Sequence, residues 1–330
     1  MRYAWVICAA VCLLMRNESS VAQRAKATQP LPGDVVFRAF AEHGTDASVQ
    51  LISGVKAEKR YWATVIDAAL SPQGVYPPAT CTAILIGPGV FLTAAHCFDD
   101  GPGSKLVTSA WLRAGGQSLK ATCELSPEYV QAVDQHIWNG PSPRVSEDYA
   151  VCAFDMLKIV PQFMQDLDYE NIDIENPLAQ GSKVLMTGFG CSDRAILLSS
   201  GKNDVRLDGL LRLGDAAVTS LPSNQDVEID RVIKINSSIK SAPALCDGHS
   251  GGPLMSGATV AKQGASRSVR GINSSVQVDQ DDPSGPVAVS RIAPLATPQF
   301  KKFITQWLDA RKHLVICGIN ATRGFLPCHD

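Results

Sequence analysis

The stretch Cys246-Asp-Gly-His-Ser-Gly-Gly-Pro-Leu254, "CDGHSGGPL", decides how the rest of this chain is read. Gly248 precedes a His-Ser pair, and Gly251, Gly252 and Pro253 follow it. Glycine on both sides of a serine lets the backbone turn sharply and approach another group closely. Such a turn can present the Ser250 hydroxyl while aiming the N–H groups of Gly248 and Ser250 at one point. Two donors so aimed can stabilise an oxyanion, by about 3 to 4 kcal/mol each. By itself, however, a glycine turn containing serine is commonplace, and the meaning of this one depends on what precedes it.

A serine hydroxyl is a poor nucleophile at neutral pH. It needs an imidazole to take its proton and a carboxylate to orient that imidazole. Two earlier segments offer them in order. Thr93-Ala94-Ala95-His96-Cys97 ends the second strand of an apolar hairpin, and Asp148-Tyr149-Ala150-Val151 leads a carboxylate into a strand. Alone, His96 reads as a core residue and Asp148 as the start of a surface strand, with Asp134 and Asp155 competing for its role. Together with Ser250 they form a His-Asp-Ser set. His136 and His313 belong to no motif and read as surface residues.

The three motifs resemble those of the chymotrypsin-like (trypsin-fold) serine proteases, over most of the chain from Tyr61 to a C-terminal helix. The resemblance implies an all-β fold of two six-stranded Greek-key β-barrels closed by that helix, with residues 56–312 as the protease domain. It implies His96 as general base, Asp148 as its orienting carboxylate, Ser250 as nucleophile, and Gly248 and Ser250 as oxyanion donors. Ser274, in "GINSSV", resembles the serine beside the buried aspartate. By the same resemblance Ala244, Ser274, Ser275 and Val276 line the substrate pocket. Ala244 stands where trypsin-like enzymes carry an aspartate for Lys or Arg, and Val276 narrows the wall, so small or medium apolar side chains are expected there. The activity implied is a serine endopeptidase acting on proteins or peptides without metal or other cofactor. The alternative is a catalytically silent homologue that serves as a binding or regulatory module, and an esterase on the same fold is a related possibility.

Composition agrees with a folded protein. Of 330 residues, 45% are hydrophobic and 19% charged, and the net charge is −2 with both signs interspersed. That balance gives no footing for a nucleic-acid or polybasic membrane partner. Short apolar runs punctuated by Gly, Pro, Ser or Asp fill residues 61–295, as in sandwiches and barrels. Near the end Thr297 and Pro298 suit the first turn of a helix. Phe300, Phe303, Ile304, Trp307 and Leu308 form its apolar stripe, and Arg311 and Lys312 close it.

The N-terminus reads as a secretory signal over residues 1–22. Arg2 leads an apolar run from Tyr3 to Met15, and Ser20-Val21-Ala22 suits a peptidase site. The run is short of the roughly 20 residues a membrane span needs. The expected product is secreted or periplasmic, with no membrane attachment after cleavage and with residues 23–55 as a leader or arm. Oligomeric state is not legible. Of ten cysteines, Cys8 and Cys12 lie in the signal, and the eight others read as structural disulfides in an oxidising compartment. The family pattern implies Cys81–Cys97. Cys123 and Cys152 fall on two segments expected to be adjacent strands, Cys191 and Cys246 lie beside the nucleophile loop, and Cys317 with Cys328 staples a tail over 313–330. Asn236, Asn273 and Asn320 begin glycosylation sequons.

One departure from the family stands inside the opening stretch. Proteolytically activated members pair a newly freed N-terminal ammonium with an aspartate just before the serine. Here that residue is His249, and no Lys or Arg precedes Ile52, in the nearest match to the family's new terminus. The expectation is a preformed loop, with His249 held by a neutral hydrogen bond or a nearby carboxylate. Blocking the N-terminal amine should then leave activity unchanged, whereas activity only after cleavage near Ile52 would contradict it.

Overall fold

The computed structural model describes residues 35–38, 54–70, 81–98, 106–114, 117–134, 146–154, 164, 167–191, 210–222, 231–239, 242–283, 285–321 and 328–329. The expected signal, Ile52, Asp155 and His136 lie outside them. Among the described residues no helix is long and apolar enough to cross a membrane.

The chain builds two sheets in succession. The first is a closed barrel of β1 (Val35–Arg38), β3 (Val65–Leu70), β4 (Cys81–Gly87), β5 (Val90–Thr93), β6 (Val107–Ala114), β7 (Gln117–Leu125) and β8 (Ala150–Phe154). The second contains β10 (Lys183–Gly188), β11 (Arg212–Ala217), β12 (Ile233–Ser238), β13 (Pro253–Ser256), β14 (Ser268–Asp279) and β15 (Val287–Pro294). It is flanked by the short strands β2 (Val55–Lys56) on β11 and β9 (Asn171–Ile172) on β14.

The six principal strands of each sheet follow one cyclic order. In the first barrel β5 is followed in space by β8, β7 and β6; in the second β12 is followed by β15, β14 and β13. This is the expected Greek-key pair. The barrels differ at their seams. In the first, β1 from the N-terminal arm bridges β3 and β6 and closes the ring. In the second, β12 and β11 are the seam strands and β11 takes β2 as its outer neighbour.

Alternation along the strands divides the core between two tasks. In β4, Ala83 and Leu85 join Phe37, Phe91, Leu112 and Cys152 inside the first barrel. Ile84 and Ile86, on the opposite face, join Leu92, Leu185, Met255 and Ile272 in a core shared by both barrels. This is why β4 is buried along its whole length and reads as a continuous apolar run rather than an alternating one. Val184, Met186, Ile233, Leu254 and Ile292 fill the second barrel.

The C-terminal helix, α2 (Pro298–Asp309), seals the shared core with the predicted stripe of Phe300, Phe303, Ile304, Trp307 and Leu308. The Thr297 hydroxyl accepts the Phe300 N–H at 3.1 Å, capping the first turn. The helix stops at Asp309, short of Lys312. Arg311 lies beyond it and folds back, its guanidinium 4.7 Å from the Trp307 ring centroid and donating to the Trp307 carbonyl at 3.3 Å. The cation therefore meets the C-terminal carbonyls from outside the helix.

A second helix, α1 (Pro127–Asp134), was not expected from the sequence. Its signature was present in Ser126-Pro127-Glu128: the Ser126 hydroxyl accepts the Tyr129 N–H at 3.3 Å, and Ser126 N–H donates to the Tyr149 carbonyl at 3.0 Å. Asp134, one of the competing carboxylates, is exposed at the far end of α1.

All eight remaining cysteines are paired, as Cys81–Cys97, Cys123–Cys152, Cys191–Cys246 and Cys317–Cys328. Cys123 and Cys152 face each other directly across β7 and β8. The tail is laced to the first barrel as Cys317 N–H donates to Ile86 O at 2.8 Å. Of the sequons, Asn236 and Asn320 are exposed. Asn273 is fully buried in β14 and its amide donates to Thr187 O at 2.8 Å, so the folded chain offers no acceptor there.

Candidate active site

His96 lies in a single turn of 3-10 helix, Ala95–Phe98, that follows β5 directly. The Cys81–Cys97 disulfide fastens that turn to the start of β4. Asp148 comes from the approach to β8. Its neighbour Tyr149 is fully buried and packs edge-on against Phe300, ring centroids 4.8 Å apart, with Phe303 at 5.4 Å. The aromatic anchor under the C-terminal helix thus sets the depth of the carboxylate beside it.

The pair is closely made. Asp148 Oδ2 lies 2.6 Å from His96 Nδ1, and Oδ1 accepts the His96 backbone N–H at 3.0 Å. One carboxylate therefore fixes both the ring and the backbone of the histidine. Ser274 Oγ donates a third hydrogen bond to Oδ2 at 2.5 Å. Asp148 is 1% exposed, and such burial alone would raise its pKa. Burial is the largest single influence, but the His96 charge and the hydrogen bonds from His96 and Ser274 together outweigh it and hold the carboxyl below its ordinary value. An anion kept in this position requires Nδ1 to carry a proton, leaving Nε2 as the basic nitrogen.

Ser274 reaches Asp148 because of an irregularity in β14. The pairing steps from Asn273↔Ile292 to Ser275↔Arg291, so Ser274 is the extra residue of a β-bulge. A bulge re-aims the side chain of the residue it inserts. The Ser274 carbonyl is thereby placed 3.4 Å from Ser250 Oγ.

The loop carrying Ser250 is held from both barrels. Gly248 and Gly251 have φ of 94° and 80°, which a side chain would strain. At Gly251 a Cβ would also lie 2.2 Å from both Thr82 O and Thr93 Oγ1, so the backbone sits directly against the first barrel. Thr82 N–H donates to Ser250 O at 2.7 Å, and Thr82 Oγ1 donates to Gly248 O at 3.0 Å while accepting Phe189 N–H at 2.9 Å. From the second barrel, Gly251 N–H donates to Asn273 O at 2.7 Å, and Asn273 N–H to Gly252 O at 2.8 Å. Among the described residues the N–H groups of His249, Gly251 and Gly252 are spent on backbone carbonyls, while those of Gly248 and Ser250 are not. These are the two expected oxyanion donors. Nothing in "CTAILIG" marks Thr82, because its partners are about 100 residues or more away in the chain.

Of the expected pocket residues, two share one apolar cluster. Ala244 is fully buried among Ile239, Ala288 and the Cys191–Cys246 disulfide, and Val276 packs against that cluster. Ser275 is partly exposed on β14. His249 is fully buried, and its Nδ1 lies 3.0 Å from both the N and the O of Cys246. His249 is therefore in hydrogen-bond contact with the backbone of its own loop. Cys81 and Cys97 are the cysteines grouped with His96, and their sulfurs are joined to each other in a disulfide.

Comparison with known proteins gives a match to the family model described as Trypsin over residues 51–296. No curated protein matches. Among solved structures, a Glu endopeptidase in complex with MPD is similar at 14% identity and a TM-score of 0.46, covering 77% of this chain and 96% of that one. A mutant of human heparin binding protein is similar at 19% identity and a TM-score of 0.47, covering 78% and 96%.

Proposed function

The chain belongs to the trypsin family, and from that premise we propose that it is a serine endopeptidase working through an acyl-enzyme intermediate. The observation that carries the reading is the Asp148 carboxylate, buried, kept anionic and bonded to both the ring and the backbone of His96. A protein retained only to bind a partner has no need of that arrangement. In the proposed reaction His96 Nε2 takes the Ser250 proton as Oγ attacks the scissile carbonyl, and later returns it to the leaving amine. The resulting imidazolium is stabilised by Asp148, and the tetrahedral oxyanion by the N–H groups of Gly248 and Ser250. Water repeats the cycle on the acyl-enzyme.

The apolar surroundings of Ala244 and Val276 support a preference for small or medium apolar side chains on the acyl side of the scissile bond. The four disulfides support action outside the cytoplasm, in a secreted or periplasmic setting.

The test is labelling by a fluorophosphonate probe followed by peptide-library cleavage. Labelling of the wild-type protein that disappears in Ser250→Ala is expected. A folded wild-type protein that takes no label would refute the endopeptidase and leave the silent binding module. A cleavage profile favouring Lys or Arg would refute the pocket reading alone.

A further inference from the structure

We propose that His249 is a positioning residue, which locks the nucleophile loop from within by wedging its ring into a slot left open by two glycines. The proposal rests on the reading of Ser250 as nucleophile.

The slot is formed by Gly188, at the end of β10, and Gly190, just beyond it. A Cβ on Gly188 would lie 2.8 Å from His249 Cδ2, and one on Gly190 only 2.0 Å from Nδ1 and 2.4 Å from Cε1. Neither glycine has a positive φ, so the backbone at these positions would accept an ordinary residue. At Gly190 the ring alone excludes a side chain, while at Gly188 the His249 Cα, at 3.0 Å, does so together with the ring.

The ring is joined to its own loop as well as to the slot. Nδ1 meets the Cys246 peptide groups at 3.0 Å, accepting from N–H in one neutral tautomer and donating to the carbonyl in the other. His249 N–H donates to Cys246 O at 3.1 Å, and His249 O accepts Gly252 N–H at 3.0 Å. Cys246 is bonded to Cys191, whose N–H donates to Asp247 O at 2.8 Å. Residues 188–191 and 246–252 therefore form one closed unit around the imidazole. The two expected oxyanion donors, Gly248 N–H and Ser250 N–H, stand on either side of His249 in the chain. Turning either peptide away would draw the ring out of its slot. These contacts all join the loop to itself or to the strand end it touches.

The experiment compares full-length wild-type protein with His249→Ala, His249→Asn, Gly190→Ala and the double variant Gly190→Ala/His249→Ala. Two quantities are read: the second-order rate of fluorophosphonate labelling at Ser250, and the split between kcat and KM on a peptide the wild type cleaves. His249→Ala is expected to slow labelling about 100-fold, the scale of one oxyanion donor, with the loss in kcat. Gly190→Ala is expected to do the same by clash. The double variant should be no slower than His249→Ala, because the new methyl enters space the ring has left. His249→Asn can place a side-chain amide near the Cys246 peptide, guards against misfolding of the alanine variant, and should fall less, by about tenfold.

A double variant whose loss is the product of the single losses would overturn the proposal. So would His249→Ala and His249→Asn both labelling at the wild-type rate. A folded wild type that is never labelled overturns the assignment of Ser250 and this proposal with it, and is told apart by the wild-type control alone.

Discussion

Replacing Thr82 by valine is the sharpest test of how the first barrel holds the nucleophile of the second. The substitution exchanges a hydroxyl for a methyl of nearly the same size, so it opens no cavity. It removes a group that is fully buried and that serves two partners, the Gly248 carbonyl at 3.0 Å and the Phe189 N–H at 2.9 Å. The backbone bond from Thr82 N–H to Ser250 O stays in place. A buried polar group deprived of its partner costs about 1 to 3 kcal/mol. With both partners affected and partial relaxation of the loop, a net loss of about 2 to 4 kcal/mol is expected. Urea unfolding under oxidising conditions reads the stability, and fluorophosphonate labelling reads the loop. Because the Gly248 carbonyl is released next to an oxyanion donor, labelling should slow about 10- to 100-fold. Thr82→Ser keeps the hydroxyl and loses one methyl, at a cost of about 1 kcal/mol, and should label nearly as the wild type does. If Thr82→Val unfolds and labels like the wild type, the hydroxyl contributes nothing and the reasoning is wrong.

Other consequences follow from the same geometry. Asp148→Asn keeps the shape of the site but reverses the preferred tautomer of His96, and kcat should fall by about four orders of magnitude with little change in KM. Its effect on stability has a definite sign. A carboxyl whose pKa is lowered by folding stabilises the protein above the ordinary value of 3.8, and that stability is lost as pH falls through the depressed value. The acid limb of a melting-temperature profile should therefore be shallower in Asp148→Asn. Glu147 shows the opposite case: burial pushes its pKa up, so its charge opposes folding as pH rises through the folded value. Glu147→Gln should melt higher than the wild type at neutral pH and match it in acid. Removing Cys317–Cys328 by a double serine substitution releases a loop with a sequence separation of 11. Unfolding should cost about 3 kcal/mol less, while labelling of Ser250 stays unchanged.

Motif order and apolar texture determined much of this protein. TAAHC, DYAV and GHSGGP carry the residues of the site in the chain itself, and the amphipathic stripe of residues 300–308 carries its own face and cap. These features are local, since a turn, a cap or a strand is specified by neighbours a few residues away. The tertiary structure decided what depends on distant partners. It placed the N-terminal Val35–Arg38 between β3 and β6 to close the first barrel, and it made Ser274 the bulged residue that reaches Asp148. It also brought Thr82 and Gly190, neither of them in a motif, against the loop at Gly248 and His249. In "CDGHSGGPL" the serine and glycines were readable as chemistry. A structural part for His249 was readable as well, but the slot that takes its ring was not, because it depends on the space two glycines leave some 60 residues earlier in the chain.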